Sequence, residues 1–172
     1  MTDLRDRVDG PEGPLHRLLG HIPGFAGYRE REQRRTADKL LREYLAGLLQ
    51  ETLGALRAVA GERARAAELT HLAALGRLTN RLEHATDQIR LADYGYSGWY
   101  DAVQVNDAEL DRLYEYDLSL RQFIGDIAAT VRALGACPDD RLPGQMAQVD
   151  EALGELQAMI ATRERIVTQT MP

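Results

Sequence analysis

Asp117 is the side chain whose position most clearly suggests chemistry. It stands between leucines on the apolar stripe of a predicted helix, where a carboxylate becomes buried or nearly so. A buried carboxylate needs hydrogen-bond donors or a cationic partner, because desolvation otherwise raises its pKa until it becomes neutral. The stripe consists of positions 110, 113, 117, 120, 124, 127, 131 and 134.

Arg163 is the matching irregularity on the last predicted helix, where it lies between apolar positions at heptad spacing. We therefore expect an Asp117–Arg163 pair, which would also fix the register of the packed helices. The alternative is a carboxylate exposed in a cleft, with Tyr114 or Tyr116 beside it, that binds a ligand. No nucleophile or acid–base partner can be placed next to Asp117 from the sequence, so the structural pair is the favoured interpretation.

Glu68 and His71 form a Glu-x-x-His pair, the spacing with which helical bundles hold two metal ions. Such a centre needs a second pair on a facing helix, and no other predicted helix carries one. Leu69 and Leu72 are expected to define the inner face of their helix, which leaves Glu68 and His71 at its edge. A ferritin-like metal-binding bundle is therefore the least favoured alternative, and we predict neither a metal site nor a cofactor.

The segment 94–100 holds four of the ten aromatic residues in the chain and separates two helical patterns. Its glycines permit sharp turns, and its large rings need an apolar surface to cover them. The favoured interpretation is a plug that closes one end of a helical bundle. The alternative is a binding surface, because aromatic residues often dominate the binding energy of interfaces. The candidate anchors are Tyr94, Tyr96, Trp99 and Tyr100.

Basic residues cluster between positions 29 and 42, but acidic residues alternate with them at helical spacing. Pairs three or four residues apart support a helix, so we interpret this run, including Asp38 and Arg42, as a solvated face. The formal net charge of −6 argues against nucleic acid as a partner. The run lacks an aromatic apolar edge, which disfavours peripheral membrane binding.

No recognised catalytic motif completes a site. Ser97 lacks the preceding strand of a nucleophile elbow, and the chain has no phosphate-binding loop, dinucleotide fingerprint or zinc spacing. The single cysteine, Cys137, excludes an internal disulfide and fits a reducing cytoplasm. No apolar stretch approaches the roughly 20 residues of a membrane span, so we expect a soluble, cytoplasmic protein.

Helical periodicity organises the whole chain. The pattern predicts a mobile tail over residues 1–13 and one helical domain over 14–172, beginning with a short helix near 15–22. Long helices are expected at 28–60 and from about 69 to 92, joined by a hairpin in which Gly61 ends the first; one kinked helix is the alternative. A third begins at the capping box Asn106–Glu109 and ends at Gly135, and a polar connection over 137–144 leads to the fourth.

These observations predict an all-α, antiparallel bundle of about four long helices, with the aromatic glycine-rich connection between the second and third. We expect a non-catalytic protein–protein interaction or scaffold module that associates with itself or with another protein. The alternative is a small-molecule-binding bundle or enzyme whose pocket is formed by Tyr94, Trp99, Tyr114 and Asp117, because aromatic walls and one carboxylate suit a cationic ligand.

Overall fold

Four long α-helices make up nearly all of the residues that the computed structural model describes, which are 31–66, 69–92 and 107–169. Side chains are described for residues 38–66, 69–92 and 112–166. No β-strand occurs in these ranges, and the predicted all-α bundle is confirmed. The helices are α1 (Arg31–Arg65), α2 (Leu72–Leu91), α3 (Asp107–Gly135) and α4 (Leu142–Gln169).

The first two helices form a hairpin, but its turn comes later than predicted. α1 continues through Gly61 to Arg65, and the amide of Ala66 still donates to the Glu62 carbonyl over 3.0 Å. Gly61 is therefore not the residue that ends the helix. Residues 62–65 are good helix formers, which outweighs the cost of about 1 kcal/mol for one glycine in a helix interior.

Leu69 belongs to the turn rather than to the inner face of α2, which corrects the sequence interpretation. A short 3-10 turn, Leu69–His71, precedes α2, and Leu69 is 67% exposed. The helix instead buries a stripe that starts one turn later, where its residues meet α1. That stripe is Leu75, Leu78, Leu82, Ala85, Thr86 and Ile89.

The second hairpin joins α3 and α4 through residues 136–141. α3 begins directly after Asn106 and ends at Gly135, as the sequence predicts. α4 begins at Leu142, earlier than the predicted connection allowed, because Pro143 falls in the first turn, where a missing amide hydrogen costs no helical bond. Leu142 itself is fully buried.

Each hairpin is antiparallel, whereas helices that meet across the two hairpins run in the same direction. α1 packs beside α3 and α2 packs beside α4. Toward the middle of the bundle Arg121 of α3 bonds to Tyr44 of α1, and near one end Arg63 bonds to the carbonyl of Cys137 just beyond α3. These contacts place α1 and α3 in parallel, so the order around the bundle is α1, α2, α4, α3.

Within the described side chains, buried charges occur at one end of the bundle, which we call the polar end, and the rest of the core is apolar apart from buried threonines such as Thr52. Leucine, isoleucine and valine fill the interior between the four helices. At the end where α1 and α3 begin and α2 and α4 finish, the core contains charged side chains instead, described below. No helix in the described ranges is both long enough and apolar enough to cross a membrane.

Several predictions lie outside the described residues. They are the tail over 1–13, the short helix near 15–22 and the aromatic segment 94–100. α2 ends and α3 begins at the polar end of the bundle, on opposite corners.

Candidate functional site

Four charged side chains meet inside the polar end of the bundle, and we refer to Asp38, Arg42, Asp117 and Arg163 as the charge network. α1 contributes Asp38 and Arg42, α3 contributes Asp117, and α4 contributes Arg163. Their exposed fractions are 6%, 3%, 0% and 3% respectively. All four lie on the inner stripes of their helices, which explains why they are removed from solvent.

Arg163 connects three helices by hydrogen bonds to both carboxylates. Its Nε donates to Oδ1 of Asp117 over 2.8 Å, and its Nη2 donates to Oδ2 of Asp117 over 3.1 Å. The same Nη2 donates to Oδ1 of Asp38 over 2.7 Å. The planar guanidinium suits this arrangement because its donors match the two oxygens of one carboxylate while leaving others for a second.

Arg42 extends the charge network to α2, the one long helix that Arg163 does not join. Its Nε donates to Oδ2 of Asp38 over 2.8 Å, one turn away on α1, and its Nη1 reaches the carbonyl of Arg90 at 3.4 Å. That carbonyl lies in the last turn of α2, where backbone oxygens lack partners within the helix. The charge network therefore contacts all four helices and contains two carboxylates and two guanidinium groups.

Burial and charge act on the two carboxylates to different extents. Burial raises the pKa of Asp38, but Arg163 and Arg42 outweigh this effect and hold its pKa below the usual value. Burial raises the pKa of Asp117 above its usual value, and Arg163 offsets only part of the increase. Burial lowers the pKa of Arg163, yet Asp117 and Asp38 more than compensate, so that its pKa is raised and the side chain stays cationic.

The geometry of the charge network suits a structural role. Asp117 has no exposed surface, and both of its carboxylate oxygens accept hydrogen bonds from Arg163. A ligand could reach it only if neighbouring chain were displaced. Removing Arg163 would leave the buried Asp117 carboxylate without its donor, which is far more costly than losing an exposed ion pair.

The structure places the predicted site residues in three different settings. Asp117 and Arg163 are brought together as hydrogen-bonded partners. Tyr114 is buried in the core, and the hydroxyl of Tyr116 donates to the carbonyl of Met159 over 3.0 Å, so both rings help to join α3 to its neighbours. The remaining candidates, Tyr94, Tyr96, Trp99 and Tyr100, lie outside the described residues.

The structure describes only one of the two residues of the alternative metal site, Glu68 and His71. His71 ends the turn before α2 and is partly buried, whereas Glu68 lies outside the described residues. Within the part of the chain that is described, no three histidine, cysteine, aspartate or glutamate side chains lie close enough to hold a metal ion.

Asp38 and Arg42 were misinterpreted at the sequence level as members of a solvated face. Both are buried, while the neighbouring pair Lys39 and Glu43 is exposed, with 4.0 Å between the Nζ and Oε1 atoms. A signal was present, because positions 38 and 42 continue the buried stripe by preceding Leu45 by seven and three residues. The alternating charges around them concealed it.

A shallow depression on the outer side of the second hairpin is the other candidate site, and we call it the α3–α4 groove. It is open to solvent and has a volume of about 450 Å³. Half-buried Leu118, Phe123 and Met159 form its apolar part. The polar part consists of three exposed residues of α3, which are Ser119, Gln122 and Asp126.

The groove was not predicted from the sequence. Its floor joins residues of two helices, and their relative position depends on how the hairpin packs. No protein-family model, curated protein or solved structure matches this chain, so the site has no counterpart from which a role could be transferred.

Proposed function

We propose that this protein is a non-catalytic helical interaction module that binds other proteins through the α3–α4 groove. The observation that carries the proposal is the groove itself, an apolar depression on the outside of the bundle. Methionine and aromatic side chains are enriched at protein interfaces, and methionine adapts its shape to different partners. Phe123 and Met159 provide both residue types at one place.

The shape of the groove supports a macromolecular partner over a small ligand. Small-molecule sites are concave and bury most of the surface of their ligand. The α3–α4 groove is open along its length, so a small molecule there would remain largely in water, whereas an extended protein surface could cover the apolar floor. We also propose that the protein acts in the cytoplasm.

Site-specific photo-cross-linking tests this function. A photoreactive residue replaces Ser119, which lines the groove, and in a matched control it replaces Asn80, an exposed residue of α2. We expect the Ser119 position to capture a discrete protein in the cells that make this chain, and the Asn80 position to capture much less. A second copy of the chain would count as a partner and would be recognised by mass spectrometry.

Equal labelling at the two positions, or no labelled protein at either, would refute the proposed function. Circular dichroism of both proteins ensures that a negative result does not reflect unfolding. Light scattering of the unmodified protein gives its solution mass, which separates self-association from binding to another chain.

A further inference from the structure

One end of the α3–α4 groove has negative charge along its rim. Asp126 lines the groove directly, and Glu155 lies one turn before Met159 on the same side of α4. Glu151 precedes Glu155 by a further turn, and all three side chains are exposed. These carboxylates lie on the half of the groove that is nearer to the α3–α4 turn.

The exposed cations of these helices are set apart from this rim. Arg132 follows Asp126 by six residues, which places it about 120° around α3 from that carboxylate, and Arg141 precedes Glu151 by ten residues, in the turn before α4. Arg121 lies on the α1 side of α3, where its Nε donates to the hydroxyl of Tyr44 over 3.3 Å. Arg165 bonds to Thr162 near the end of α4, and Arg112 lies two turns before Ser119, so both are toward the opposite end of the groove. The rim around Asp126 and Glu155 is therefore acidic beside an apolar floor.

Resting on the proposed function, we propose that the occupant of the groove is a cationic amphipathic helix of another protein. A helix can place apolar residues at every third or fourth position into such a floor, with lysine or arginine along the edge that meets the rim. The acidic rim is the feature that favours a cationic helix as the occupant. A second copy in the groove, seen by light scattering as a dimer that Phe123→Ser dissociates, would overturn this choice of occupant.

Two designed peptides test the charge preference. Both are amphipathic helices with the same leucine face, and they differ only in carrying lysine or glutamate along the flanks. Fluorescence anisotropy with the full chain is expected to show binding of the lysine peptide about tenfold tighter than the glutamate peptide, weakening as salt is raised. The double variant Asp126→Lys with Glu155→Lys should abolish or reverse that preference.

A matched variant separates a site from the general acidity of the protein. Asp87→Lys with Glu51→Lys makes the same change in net charge at exposed positions of α2 and α1, and the preference should persist. Phe123→Ser should weaken binding of the lysine peptide because it removes part of the floor. Circular dichroism of each variant excludes loss of the fold.

Equal effects of the two double variants, or no preference between the peptides, would overturn the inference. If Ser119 still captured a protein in cells under that outcome, the interaction function would stand with a partner of different chemistry. If Ser119 captured nothing as well, both proposals would fail.

Discussion

Among the side chains that the structure describes, Arg163 is the one whose loss should destabilise the protein most through charge. It supplies hydrogen bonds to both buried carboxylates, so Arg163→Met would leave Asp117 without its donor and Asp38 with Arg42 alone. Breaking a buried ion pair from one side costs about 3–5 kcal/mol. We expect the free energy of unfolding, measured in urea, to fall by about that amount.

Arg77 provides the matched comparison for this prediction. It is an exposed arginine on α2, so Arg77→Met should change stability by less than about 0.5 kcal/mol. Similar losses in both variants would show that the charge network is not a special source of stability.

The contribution of Asp38 to the stability of the folded protein should depend on pH and be lost in acid. Its pKa is lowered in the folded protein by Arg163 and Arg42 against the effect of burial, so folding favours the ionised form. Its contribution is present above the unfolded pKa of about 3.9 and is lost as the pH falls through the lower folded value. The stability difference between the wild type and Asp38→Asn should therefore be largest near neutral pH.

Urea unfolding of both proteins across the acidic range measures this difference directly. Burial raises the pKa of Asp117, so its contribution to the free energy of unfolding changes with pH in the sense opposite to that of Asp38. The wild type is therefore compared with Asp38→Asn, because the pH dependence of the wild type alone would combine both carboxylates. A difference that grew as the pH fell below about 4 would contradict the assigned role of Asp38.

The sequence permitted only part of the charge network to be predicted. Asp117 and Arg163 were visible because each interrupts an apolar stripe with one polar residue. The burial of Asp38 and Arg42 was missed because their neighbours are charged as well. The local composition indicated a solvated face, whereas the helical periodicity indicated that both positions face the core. Helical phase is the better guide to burial when the two disagree.

At the scale of helices, α1 contains glycines that its packing does not require. A Cβ added to Gly47 or Gly54 would meet no atom within 4 Å. Glycine in a helix interior costs about 0.5–1 kcal/mol relative to alanine. Gly47→Ala and Gly54→Ala should therefore each raise the free energy of unfolding by about that amount.

Gly154 is the contrasting position on α4. A Cβ there would lie 3.4 Å from Nη2 of Arg81, the side chain that joins α4 to α2, so Gly154→Ala should give a smaller gain. Thermal or urea unfolding of the three variants tests the order. A loss of stability at Gly47 or Gly54 would mean that their outer face is covered in solution.

Helix boundaries were predictable where residue chemistry was unambiguous. Gly135 ends α3 as expected, because the proline that follows three residues later opposes further helix. The prediction that α1 ends at Gly61 was wrong because the residues after this glycine favour helix, and α1 continues through it to Arg65. Pro143 was likewise read as part of a connection although it is tolerated in a first turn.

For the whole molecule, the charge network should be replaceable as a unit. Substituting all four members with apolar residues of similar size, as Asp38→Leu, Arg42→Met, Asp117→Leu and Arg163→Met, removes together all the charges found buried in the described ranges. Such replacements are often neutral or stabilising by about 1–4 kcal/mol. The quadruple variant should therefore be at least as stable in urea as the wild type and far more stable than Arg163→Met.

The spatial order of the helices was beyond the sequence. Apolar stripes predict that the helices form a bundle, but they do not determine which of the other helices each one meets. The parallel contact of α1 with α3 arises from tertiary packing, as does the groove between α3 and α4. The residues proposed for binding therefore emerged only from the structure.

The central claim is tested most directly by the yield of photo-cross-linking at Ser119, measured in the Phe123→Ser variant and in the quadruple apolar variant. That claim is that the protein acts through the outside of its second hairpin, while the charge network serves the fold. We predict that Phe123→Ser strongly reduces the yield of the cross-link and that the quadruple apolar variant retains it. A yield unchanged by Phe123→Ser, or a cross-link lost from a well-folded quadruple variant, would contradict the account.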